Sequence, residues 1–256
     1  MNNEFDILAE GPIAAGDIGV VWEAGAMNVP GEAARRIEER WAEYVEDARR
    51  NGRSLFNGRI TRLIVAQAEG GGLRLRVGPG EYKHFLTTTL RDREWFAAHA
   101  PKSMIAGLGN SVLLTHGEWA LMGIRSHRVA AYPGRAHLLG GVLDELGTAE
   151  FPATVRGLIG HLLRELQEEA HVAPGEMSGE PELRALVRDH FLAQPELIWR
   201  WETRTPLEEI AARIDAEEHA GVVMVSRGGE LRVCGEKGAE VLWTPVAEAA
   251  VKRWWW

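Results

Sequence analysis

Residues 153–170 read ATVRGLIGHLLRELQEEA, and this stretch decides how the rest of the chain is read. Val155, Leu158, Ile159, Leu162, Leu163 and Leu166 recur at three- and four-residue steps, the apolar stripe of an amphipathic helix over 153–170. The same spacing crowds Glu165, Glu168 and Glu169 onto one flank. Like charges so placed destabilise a helix by roughly 0.2–0.5 kcal/mol per pair unless a cation is shared. A hard divalent cation such as Mg²⁺ would turn that repulsion into oxygen coordination, whereas the plain alternative is a solvated acidic face.

Outward from this helix, strands and helices alternate. Upstream, 112–114, 119–126 and 137–139 read as strands, with turns at His116-Gly117 and Pro133-Gly134. Downstream, 195–203 reads as a strand with Leu197, Trp199 and Trp201 on one face and Ile198, Arg200 and Glu202 on the other. A helix from 206 to about 216, a strand over 221–226, a hairpin to Cys234 and a final helix ending in Trp254-Trp255-Trp256 complete the chain. Toward the N-terminus, two short strands precede a helix that starts after Pro30 and closes at Asn51-Gly52. Strands over 60–68 and 73–77 flank Glu69-Gly70-Gly71-Gly72, which lacks the Gly-Lys-Ser/Thr ending of a phosphate loop and reads as a hairpin turn. A short helix and connector over 92–108 follow. Such interleaving predicts an α/β or α+β fold, with a soft boundary between 1–100 and 101–256.

Composition narrows the function. The chain has 256 residues, a formal charge of −8, 45% hydrophobic residues and a single cysteine. That apolar content supports a core and argues against disorder. The acidic balance argues against nucleic acid as a partner. Cys234 alone makes neither an intrachain disulfide nor a cysteine-based zinc site, and reads as a buried strand residue. Neither a secretory leader nor a membrane-spanning apolar run is present, so a cytoplasmic location is expected. Trp199 and Trp201 read as core. Three adjacent indoles at the end cannot all point inward from one regular helix; they would cap the domain, meet a second subunit in a homodimer, or bind a ligand.

Arg164-Glu165-Leu166-Gln167-Glu168-Glu169 resembles the R-E-U-x-E-E core of the Nudix box, G-x5-E-x7-R-E-U-x-E-E-x-G-U, with Val172 in its last apolar position and Gly140-Gly141 at its opening. Arg125-Ser126, Val129-Ala130 and Pro133-Gly134 are similar to the usual approach to that box. The resemblance spans about 110–256. Leu55-Phe56-Asn57-Gly58, Arg62-Leu63 and Tyr82-Lys83-His84-Phe85-Leu86, with Glu218-His219-Ala220-Gly221 before a late strand, further resemble the UDP-glucose diphosphatase branch of the superfamily. Three departures stand out. Gly141 to Arg164 is 23 positions where the motif has 14, Arg156 stands where the motif has Glu, and His171 replaces the late Gly. Glu145 or Glu150 could supply the missing carboxylate beside Arg164.

The resemblance implies a Nudix α/β/α sandwich with a mixed sheet and an N-terminal α+β extension that could recognise the nucleoside. It also implies Mg²⁺-dependent (or Mn²⁺-dependent) hydrolysis of a nucleoside diphosphate sugar, UDP-glucose or UDP-galactose first, to UMP and sugar 1-phosphate. Glu165, Glu168, Glu169 and the Gly141 (or Gly140) carbonyl would hold the metal, Arg164 would orient a carboxylate, and Glu218 would serve as a further ligand or base. Phe56, Tyr82 and Phe85 could stack on uracil, and Arg125 and Arg128 could meet phosphate; each has a duller reading, as core or surface. Alternatives are a Nudix hydrolase of ADP-ribose, a dinucleoside polyphosphate or capped RNA, and a non-catalytic nucleotide-binding module.

Overall fold

The protein is described from a computed structural model covering residues 4–25, 27–127, 129, 131–144, 146–216, 219–234 and 241–255. In chain order the elements are β1 (Phe5–Ala14), β2 (Ile18–Trp22), α1 (Gly31–Arg50), β3 (Arg59–Glu69), β4 (Gly72–Glu81), α2 (Tyr82–Phe85), α3 (Arg93–His99), β5 (Gly109–His116) and β6 (Trp119–Arg125). Then come β7 (Ala136–His137), β8 (Leu139–Val142), α4 (Val155–Ala170), β9 (Met177–Asp189), β10 (Pro195–Thr203), α5 (Leu207–Ala211), β11 (His219–Ser226), β12 (Leu231–Cys234) and α6 (Pro245–Ala249). The fold is mixed α/β, as expected.

Nine strands form one mixed sheet in the order β1-β9-β10-β5-β6-β11-β12, with β7 on β6 and β8 on β5. Among its described strands β10 and β5 run parallel and the other paired strands are antiparallel. A second sheet, β2-β4-β3, is small. The alternation along β10 sends side chains to two cores. Leu197, Trp199 and Trp201 pack with Leu158, Leu162 and Leu166 of α4 and with Leu73, Leu75 and Val77 of β4. Ile198 packs on the opposite face with Val246, Ala247, Trp254 and Trp255. The regions expected to meet near residue 100 therefore share packing: β4 contributes to the core under α4, and β1 is a strand of the large sheet.

Three local expectations change. The expected helix over 206–216 ends at Ala211, because Asp215 N turns away to Glu169 O, a terminal carbonyl of α4, at 2.8 Å. Cys234 is exposed rather than buried, since it ends the edge strand β12. Trp254 and Trp255 are both buried, because the last helix widens to π geometry over Ala250–Trp254 and brings neighbouring side chains onto one side. Trp254 donates through Nε1 to Glu10 Oε1 at 2.9 Å and meets Phe5 edge-on, so these two indoles close the domain. Trp256 lies outside the described residues. No helix among the described residues is long and apolar enough to cross a membrane.

Candidate active site

Helix α4 is held to the sheet by polar links as well as by its leucines. Thr154 caps its start by accepting from Gly157 N. Asn110 of β5, fully buried, donates through Nδ2 to Leu158 O at 2.9 Å and accepts from Trp199 Nε1 at 2.7 Å. Near the other end, Gly140 N donates to Glu169 Oε2 at 3.0 Å. Gly140 has φ +128, and a Cβ there would lie 2.3 Å from Asn110 O, so only glycine gives this strand its path. At Gly141 a Cβ would lie 2.6 Å from Glu165 Oε2: the carboxylate occupies the space a side chain would fill.

The result is a cavity of about 230 Å³ whose wall includes Gly140, Gly141, Glu165, Glu169, Arg125 and His219. Burial pushes the Glu165 carboxyl up to about 7; the Glu169 charge adds to this, while His161 and Arg164 oppose it. Glu169 is itself buried, with His219 Nε2 3.5 Å from its Oε2. Two carboxylates one helical turn apart, partly withdrawn from water and lying against a glycine strand, are an oxygen donor set suited to a hard cation. Mg²⁺ characteristically takes one or two protein carboxylates and completes its shell with water and phosphate. Among the described residues no group of three or more His, Cys, Asp or Glu side chains is arranged to hold a metal ion.

Arg164 is tied to its neighbours on three sides. Its Nη2 lies 2.6 Å from Asp144 Oδ1 and 3.3 Å from Glu165 Oε1, and its guanidinium sits 4.9 Å above the Phe151 ring. Asp144 gives Arg164 a carboxylate partner; Glu150 is exposed, and the expectation for Glu145 lies outside the described residues. Burial opposes the Asp144 charge, but His161 and Arg164 outweigh it and hold the group well below the usual carboxylate range. The long loop that carries Asp144 is braced by the N-terminal region: Thr61 N donates to Leu143 O at 2.6 Å, and a Cβ on Gly147 would lie 2.8 Å from Trp22 Cε2. Arg156 is exposed in the first turn of α4.

Other expected residues fall elsewhere. Glu168 is 64% exposed, lies 3.9 Å from Arg164 and is not among the residues that line the cavity. Phe56 is 79% exposed, while Phe85 is buried in a small cluster with Ile60 and Ile105 that Tyr82 packs against; none of these three aromatics lines the cavity. Arg125 does line it, with Nε donating to Ala131 O at 2.9 Å. Glu218 and Arg128 lie outside the described residues. The cavity also holds groups that sequence reading passed over: Asp189, His137, Glu196 and His219. For Glu196 the sequence held no signal, since it shares a strand face with Arg200 and Glu202 and looks like one more charged residue of that face.

His171, at the position of the late Gly, adopts φ +51 and ψ +35, the left-handed conformation that favours glycine. His171 N then donates to Gln167 O at 3.1 Å, the five-to-one closure of an αL C-cap, and Val172 N donates to Leu166 O at 3.1 Å.

No protein-family model matches the sequence, and no curated protein does. The crystal structure of DR0079 from Deinococcus radiodurans is similar at a TM-score of 0.40 and 16% identity, over 58% of this chain and 83% of that one, a likeness that says nothing of activity.

Proposed function

We propose that this protein is a Nudix-type diphosphatase that hydrolyses a nucleoside diphosphate sugar, with UDP-hexose as the first substrate to test and a nucleoside monophosphate and sugar 1-phosphate as products. The observation that carries this reading is the pairing of Glu165 and Glu169 in one cavity against Gly140-Gly141, with Arg164 locked to Asp144 behind them. Glu165, Glu169 and the Gly141 carbonyl would hold Mg²⁺ or Mn²⁺. Bound there, the ion supplies positive charge that offsets the phosphate oxygens and orients the phosphorus. Arg164 sets the rotamer of Glu165, and Asp144 keeps Arg164 from swinging into the site. Arg125, on the cavity wall, is placed to meet a phosphate oxygen. Glu218 remains the base carboxylate that the resemblance implies.

A second reading, a hydrolase of another nucleoside diphosphate derivative, is favoured by one observation: Phe56, Tyr82 and Phe85 lie off the cavity and cannot select uracil there. A Mg²⁺-supplemented panel of UDP-, ADP-, GDP- and CDP-linked sugars, with products identified, separates the two. Selective UMP release supports the first reading, and turnover of adenine nucleotides alone supports the second. Turnover that survives Glu165→Gln and Glu169→Gln refutes both metal assignments.

A further inference from the structure

The cavity contains a third buried carboxylate that the diphosphatase reading does not use. The Glu196 side chain, near the start of β10, is 9% exposed. Ser111 Oγ donates to its Oε1 at 2.6 Å, and His137 Nε2 lies 3.0 Å from the same oxygen. Burial works against the Glu196 charge, yet His137 and Ser111 outweigh it and keep the group below its ordinary range. An ionised carboxylate only accepts, so His137 Nε2 carries the hydrogen; in the neutral ring Nδ1 then accepts from Thr244 Oγ1, 2.7 Å away. Thr244 Oγ1 in turn accepts from Ala247 N at 3.2 Å. Within this chain one acceptor is left over for a further donor. Both bonds to Glu196 end on Oε1, and Oε2 accepts none from the described residues. Gly109, opposite Glu196 in the parallel register, leaves the room beside it, since a Cβ there would lie 3.0 Å from Glu196 Cγ.

Oε2 is not among the buried side-chain atoms that lack a partner, so it keeps accessible surface on the cavity wall, where a donor of the ligand can take the place of water and make a hydrogen bond of the stronger, charge-assisted kind. A phosphate cannot, because it carries the same charge. We propose that Glu196 is a specificity-determining residue whose Oε2 accepts a hydrogen bond from a neutral donor of the ligand, a sugar hydroxyl or a nucleobase amino group. This rests on the reading of the cavity as a site for a nucleoside diphosphate sugar. At about 230 Å³ the cavity is smaller than the roughly 300–1,000 Å³ of pockets that enclose drug-sized ligands, so it takes one end of such a molecule. Glu196 thereby sets which end enters.

The test is titration calorimetry of the full chain in Mg²⁺ with glucose 1-phosphate, UMP, CMP, AMP and GMP, for the wild type, Glu196→Ala and the isosteric Glu196→Gln. Glu196→Ala should weaken the relevant probe by roughly ten- to hundred-fold, the range for a hydrogen bond to a charged group. Glu196→Gln keeps the acceptor for Ser111 and His137 but turns an N–H₂ toward the cavity. A hydroxyl can reverse and accept from it, so glucose 1-phosphate should then lose only a few-fold; an amino group cannot, so CMP, AMP or GMP should lose as much as with alanine. Should the alanine variant fail to fold, the glutamine variant alone decides. Unchanged affinity for every probe, or no binding of any probe to the wild type, overturns the proposal. Turnover of UDP-glucose with an unchanged KM in Glu196→Ala overturns it while leaving the diphosphatase reading intact. Loss of probe binding without turnover of any nucleotide sugar overturns that reading instead.

Discussion

Replacing Glu165 by Gln should make the metal-free protein more stable at neutral pH, the opposite of the usual effect of changing a buried hydrogen-bonded group. The Glu165 carboxyl titrates at about 7 in the folded protein against an ordinary 4.5, first because it is buried and further because Glu169 lies beside it. A proton held more tightly by the folded state means that stability is greatest below about 4.5. It falls as pH rises toward 7 and is level above that. At about 1.4 kcal/mol per pH unit the charge costs the fold about 3 kcal/mol at pH 8. The side chain is only 15% exposed, so solvent screening does not erase the effect. Gln keeps the shape and carries no charge. Urea denaturation in EDTA should show Glu165→Gln more stable than wild type by about 2–3 kcal/mol at pH 8, with the gap narrowing below about 1 kcal/mol near pH 5. Adding Mg²⁺ at pH 8 should stabilise the wild type and not the variant, since the ion satisfies the repulsion that the substitution removes. A gap that is constant with pH, or a variant less stable than wild type at pH 8, would refute this account of the site.

Two further outcomes follow from the geometry. Gly141→Ala places a methyl 2.6 Å from Glu165 Oε2, and because the clash is with the end of a side chain the carboxylate moves rather than the strand. Its melting temperature should change little while, on the proposed function, kcat falls roughly ten- to hundred-fold, the scale for disturbing the groups that orient a metal site; unchanged kcat would remove the Gly141-Glu165 contact from the proposed site. His171→Gly relieves a non-glycine residue at φ +51 on the exposed end of α4 and should stabilise the protein by about 1 kcal/mol in urea denaturation at constant pH, and a loss of stability would contradict the C-cap described here.

What could be read from the sequence was the order within single elements. Helix α1 begins after Pro30 and ends before Asn51-Gly52, and β10 runs from Pro195 to Thr203, as their patterns indicate. Strand β9 was not legible over its 13 residues, because Gly179, Pro181 and the charged Glu180, Glu182, Arg184 and Arg188 break the apolar alternation that marks a strand; pairing with both β1 and β10 holds it extended. Helix α5 was overread because its termination depends on Glu169 O, a group from another helix. The same division applies to the site. Glu165 and Glu169 are one turn apart on α4, so local periodicity brings them together. His137 and Glu196 lie 59 residues apart and meet only because β7 pairs with β6 and β10 with β5.

Arg164 shows why the rest escapes a linear reading. The motif that its sequence resembles has a carboxylate eight residues earlier, and here that position is Arg156, exposed at the start of α4. Counted along the sequence, the site is missing a part. In space the requirement is only that a carboxylate oxygen stand within hydrogen-bond reach of Nη2, and a loop of any length can meet it if both its ends are fixed. Leu143 is fixed by Thr61 and Leu108, Phe151 accepts from Gly147 N at 2.8 Å to close the loop on itself, and Trp22 leans on Gly147. Those contacts hold Asp144 at 2.6 Å from Arg164. The N-terminal region thus supports the site by fixing a loop, and a substitution at Thr61 or Trp22 would reach Glu165 through Asp144 and Arg164 without touching the cavity.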